Sequence, residues 1–123
     1  MATIECIHKL GGVNNVVSVS WFNVPADSDG GFIEMPNHSD KTVQFFGVFG
    51  GATGKIQGSN DERVMTDYAS SAWYDLTDVN GMAVSKSSAG ASVIMENPRY
   101  VRSVVTGGDM TTDINIVICA KRG

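Results

Sequence analysis

Few side chains in this sequence have both the type and the spacing that chemistry needs. The glycine-rich stretch 47–55 ends in Gly54-Lys55, as a phosphate-binding loop does. In such a loop the leading glycine position would be 49 and the hydroxyl position 56, but Phe49 and Ile56 stand there. The residues after the turn read as a strand, not as a helix whose N-terminus could hold phosphate. The run Asp27-Ser28-Asp29-Gly30 starts like a calcium loop, yet its sixth position is Phe32 and its twelfth is His38. His8 and His38 are the only histidines, and neither has a partner at zinc-ligand spacing. No G-x-S-x-G elbow exists. The carboxylates Asp61, Glu62, Asp67, Asp75 and Asp78 sit in loops or at strand ends, where solvated charge is the ordinary state. The sequence therefore predicts no catalytic, cofactor-binding or metal-binding residue.

The aromatics Trp21, Phe45, Phe46, Phe49, Trp73, Tyr74 and Tyr100 fall mostly on predicted strands, where packing is their first role. Trp73 and Tyr74 are adjacent, so one of them is placed to point outwards, against a sugar or a protein partner. Cys6 and Cys119 lie near opposite ends of the sequence. Two buried free thiols are expected, although neighbouring terminal strands would let them meet. Asn37-His38-Ser39 fits the glycosylation pattern, which carries little weight without a secretory leader.

The scaffold that must hold these side chains has 123 residues, which suit one domain, read as 1–123, with 1–12 as an N-terminal arm or edge strand. With 42% apolar and 18% charged residues, the chain can build a core and remain soluble. No apolar run reaches the ~18 residues of a membrane span. A net charge of −4, with scattered basic residues, argues against a nucleic-acid partner.

Short apolar runs divided by Gly, Asn and Asp predict an all-β fold: an antiparallel β-sandwich, jelly-roll-like. Strands are expected at 16–23, 32–35, 41–49 and 53–58, then at 73–78, 82–86 and 92–95. Residues 100–106 and 111–120 form the last pair. Residues 41–49 are apolar on both parities, which predicts a central strand covered on both faces. Gly47 marks a bulge or a close backbone approach. Gly50-Gly51 predicts a hairpin joining 41–49 to 53–58. Asn80-Gly81 predicts a tight hairpin, and 107–110 a third. Residues 59–71 read as a polar loop with one helical turn at 62–65.

Three segments carry a resemblance: TVQFFGVFGGATGKIQGSNDE, AWYDLTDVNG and ENPRYVRSVVTGGDMTTDINIVICAKR. Together they span about residues 41–122. This stretch resembles small accessory virion proteins of tailed bacteriophages, among them head decoration (cement) proteins. The resemblance implies a non-enzymatic β-sandwich on the outer capsid surface, made in the host cytoplasm. Its implied partners are the major capsid protein and further copies of itself, as dimer or trimer, with no membrane or nucleic acid. Residues 1–12 and 63–71 are then candidate contacts. A carbohydrate-binding sandwich module is the alternative, and an enzyme using His8 or His38 on a β-scaffold is a third reading.

Overall fold

Apolar residues at every second position dictate the strands, and their buried faces dictate how the strands stack. The structure, a computed structural model, describes residues 2–4, 8–11, 16–34, 39–67 and 72–121. In β3 (Val16–Val24), Val17, Val19 and Trp21 are buried. In β12 (Asp113–Lys121), Ile114, Ile116, Ile118 and Ala120 are buried. β6 (Asp40–Val48) buries Val43 and Phe45. β12 runs antiparallel to β3 on one side and to β6 on the other. β10 (Gly90–Ile94) extends this sheet beyond β6, and β2 (His8–Gly11) extends it beyond β3.

The second sheet is built on β7 (Thr53–Ser59) and β11 (Tyr100–Thr106), antiparallel along their whole lengths. β4 (Ser28–Gly30) and β5 (Ile33–Glu34) lie end to end along the far side of β11, and β1 (Ala2–Ile4) runs parallel to β4. β8 (Tyr74–Asp75) and β9 (Ser85–Lys86) lie end to end along β7. One core, containing Trp21, Phe45, Ile56, Leu76, Val101 and Ile116, fills the space between the sheets. The fold is an all-β sandwich, as the pattern predicts. Residues 2–4 and 8–11 are edge strands, one in each sheet.

Strand pairing departs from the sequence reading. β6 and β7 do not form a hairpin, and neither do β11 and β12, because each pair is split between the two sheets. A hairpin and an arch between sheets bury the same alternate residues, so periodicity does not separate them. The two connections share one end of the sandwich. Gly50 and Gly51 turn with φ of 57° and 86°, and the Phe49 carbonyl accepts from Ala52 N at 2.9 Å. The Thr112 hydroxyl donates to the same carbonyl at 2.9 Å, which ties one turn to the other.

β6 is central, but only one of its faces is covered. Phe46 and Val48 are 37% and 53% exposed on the other, because no third layer lies over it among the described residues. Gly47 does mark a close approach: a Cβ there would lie 2.3 Å from the Asp113 carbonyl. The run 27–30, which only starts like a calcium loop, contains β4, whose small residues Ser28 and Gly30 face the core. A Cβ on Gly30 would meet the Trp21 ring at 2.7 Å. The helical turn at Glu62–Met65 forms as predicted, with Asp61 as its N-cap.

Candidate functional site

Two sheet edges meet along one side of the sandwich. The seven-stranded sheet ends there in β8 and β9, and the five-stranded sheet ends in β10. Leu76 and Val84 anchor the intervening hairpin. Leu76 N donates to Ile56 O at 3.1 Å, and Val84 N donates to Leu76 O at 2.8 Å. Both side chains enter the core. Beyond the Thr77–Ala83 bridge the chain leaves the sheet as a short prong. Asn80-Gly81 does turn the chain here, but not as a two-residue primed turn. A type I′ turn needs positive φ at both residues and a type II′ turn at the first, but only the second, Gly81, has it, at 75°. Asp78 supplies the remaining hold: its carboxylate accepts from Asn80 N at 2.8 Å and from Met82 N at 3.1 Å.

The prong is clamped to the other sheet. Met95 N donates to Thr77 O at 2.9 Å, and Thr77 N donates to the Glu96 carboxylate at 2.7 Å. The Thr77 hydroxyl also donates to Glu96. Burial raises the Glu96 pKa, but the Thr77 hydrogen bonds outweigh it and hold the group below its usual range. Burial, and then the Glu96 charge, push the Tyr74 hydroxyl upward. Lys41 closes the base of this edge from inside. Its ammonium is buried and donates to Asn97 Oδ1 at 2.5 Å. Burial holds its pKa below the usual lysine value, against the opposing charges of Asp40 and Glu96.

Among the described residues nine large apolar side chains are exposed, and five of them lie along this edge: Tyr74, Val79, Met82, Val93 and Met95. Val79 and Met82 flank the tip of the prong and are 65% and 66% exposed. Val93 and Met95 border an open groove of about 540 Å3, with Lys41, Asn97, Cys119 and Lys121 among its walls. Cys119 is a half-buried free thiol, while Cys6 lies outside the described residues. Of the adjacent aromatics, Tyr74 is the one that points outwards. Trp73 is half-buried under the Arg102 guanidinium, 4.3 Å from its ring centre.

The carboxylates singled out in the sequence are dispersed. Asp29 pairs with Arg102 at 3.7 Å. Glu62 and Glu34 both bind Arg99, at 3.0 and 2.7 Å. Asp75 accepts from Gln57 at 2.9 Å and Lys55 at 3.3 Å, and these bonds lower its pKa. Asp61 accepts from Arg63 and from Ala72 N, which fastens both ends of the 62–72 loop to one carboxylate. Asp27 accepts from Gly107 N at 2.8 Å. Lys55, the lysine of the phosphate-loop pattern, points to Asp75. Among the described residues no group of three or more His, Cys, Asp and Glu side chains could hold a metal ion. His38 lies outside the described residues, and His8 is placed on β2 by its backbone. No helix among them is long and apolar enough to cross a membrane.

No protein-family model and no curated protein matches this sequence. Among solved structures, the SPBc2 prophage-derived protein YomS has a similar fold. Its TM-score is 0.60 at 14% identity, over 89% of this chain and 96% of that one. The IMPa metallopeptidase of Pseudomonas aeruginosa aligns at a TM-score of 0.46 and 9% identity, over only 13% of its length. The K3 adhesin domain of Lys-gingipain from Porphyromonas gingivalis aligns at 0.42 and 11% identity, over 74% of its length. YomS shows that the sandwich recurs whole in a chain of nearly the same extent. The two weaker alignments carry no argument.

Sequence reasoning missed the prong as a site. Its signal was present: Val79 and Met82, both apolar, border the turn dipeptide Asn80-Gly81. Carboxylates spread over the fold predict how the protein responds to acid. Asp61, Asp75, Glu96 and Asp109 all have pKa values lowered by hydrogen bonds in the fold. They stabilise the folded state fully above their unfolded values, about 4, and progressively less as pH falls through the folded ones. Melting followed by circular dichroism should show no loss from these groups between pH 5.5 and 7.5, then a falling Tm below about pH 4. Glu96→Gln should flatten part of that acid limb. A Tm that rises on acidification would contradict the assignment.

Proposed function

We propose that this chain is a non-enzymatic structural protein of a tailed-phage virion, and more narrowly a head decoration protein. In this reading it adheres to the outside of the major capsid protein lattice and stabilises the head. The observation that carries it is the clamped prong with its exposed apolar tip. Exposed apolar side chains held on a rigid element are the usual anchors of a protein interface. The fold shared with a prophage-derived protein is compatible with such an origin. One contact of this size is modest. A repeating lattice presents many, and linked copies gain avidity without any new contact. A ligand that binds only the expanded shell stabilises that shell by mass action.

The test uses the purified chain and expanded capsids that lack it. Saturable co-sedimentation and a higher shell melting temperature are expected. No binding, together with absence from purified particles, would sink the proposal. The outward Tyr74 ring beside Asp75 favours glycan binding as a second reading. A glycan array that gives hits while capsids give none would select it.

A further inference from the structure

Among the described residues Gly90–Ile94 of β10 pairs only with β6, so the outer backbone groups of this strand face away from the sheet, up to Met95, whose N–H is already held by the Thr77 carbonyl. Proteins usually blunt such an edge with charge, proline or a bulge. Here none is present. The strand reads Gly-Ala-Ser-Val-Ile, no charged residue or proline occurs from Ser87 to Met95, and the register with β6 runs unbroken.

We propose that β10 is the docking edge for a second copy of this chain, joined as an antiparallel β10–β10 pair centred on Ser92. Three features select a copy of itself over other strands. The first is fit. A two-fold axis at Ser92 sets Val93 against Ala91 and Ile94 against Gly90 within β10, so each larger side chain meets a small one. The second is end charge. Lys86 precedes the strand and Glu96 comes after it. Antiparallel pairing brings the lysine end of each copy to the glutamate end of the other, whereas parallel pairing superposes like charges. The third is net charge. Two copies that each carry −4 meet most favourably over an uncharged stretch, and residues 87–95 supply it. An isologous interface uses the same patch twice, which an antiparallel strand pair does by construction. The dimer stands or falls independently of any virion role.

Sedimentation velocity on the full-length chain should give twice the 13.1 kDa chain mass. Val93→Lys sets two lysines beside the axis at an exposed position. It should raise the dissociation constant at least about 100-fold while circular dichroism stays unchanged. Ser92→Cys should give a reducible cross-linked dimer, because directly opposed strand residues lie within disulfide range. Adding Val93→Lys should abolish that cross-link. A monomer at all concentrations overturns the proposal, and so does a dimer indifferent to Val93→Lys. A dimer that Val93→Lys splits but Ser92→Cys does not cross-link overturns the two-fold register. Capsid binding by a monomer would leave the functional proposal intact while this one fails.

Discussion

Replacing Trp21 with alanine is expected to remove much of the fold's stability. The indole has no solvent exposure, and its N–H donates to the Gly31 carbonyl at 2.9 Å. It fills the core against Gly30, which has no side chain to shield it. Truncation deletes the largest buried side chain, leaves a cavity and orphans a carbonyl. Changes of this kind cost about 3–5 kcal/mol, against roughly 5–15 kcal/mol for a whole domain. The Tm should fall on the order of 10–20 °C. The same change at Trp73 should cost distinctly less, because that ring is half-buried and capped by Arg102 rather than by the core. Thermal melts of the two variants side by side check this. Equal losses would overturn the contrast between the two rings.

That contrast marks where the sequence stops being informative. Both tryptophans lie on or beside apolar runs, yet only Trp21 keeps strict alternation with Val17 and Val19. Alternation also placed Ile114, Ile116 and Ile118 on one buried face, and the edges of β11 were legible to the residue. Partners were not legible. The turns at Gly50-Gly51 and at 107–112 look like hairpin loops, but they carry the chain from one sheet to the other. Loop composition signals a reversal without saying how far apart the two strands end. β4 was hidden because Ser28 and Gly30 are small and polar or featureless, while the feature that makes them strand is the Trp21 ring above them. Phe46 and Val48 suggested a second covering layer. Apolar character does not reveal whether another element exists to cover it.

The edge strand and the prong were only partly readable, for the same reason. Nothing local distinguishes Gly90–Ile94 from a strand with neighbours on both sides. Its edge position is set by the order of the whole sheet. At the prong, Asn80-Gly81 announced the turn, but its geometry depends on Asp78 accepting from Asn80 and Met82. Once the turn is fixed, Val79 and Met82 must project, since the sheet ends at the Thr77–Ala83 bridge.

Changing Val79 and Met82 together to serine is therefore expected to separate stability from adhesion. Both side chains are mostly exposed, and the backbone of the turn is held by Asp78 and Gly81, which the variant keeps. Surface changes away from structural features stay within about 0.5 kcal/mol, so the melt should be unaltered. Adhesion should respond far more. Anchors of an interface cost upward of about 1–2 kcal/mol each when truncated, so affinity for expanded capsids should fall at least about 10- to 100-fold. Met110→Ser is the matched control. Met110 is also exposed, but it sits at the opposite, glycine-rich end, on a turn held by Asp109 and Thr112. If Met110→Ser weakens capsid binding and the prong variant does not, the particle-facing surface is the glycine-rich end. If neither does, adhesion uses polar surface, and exposed apolar side chains lose their standing as its anchors.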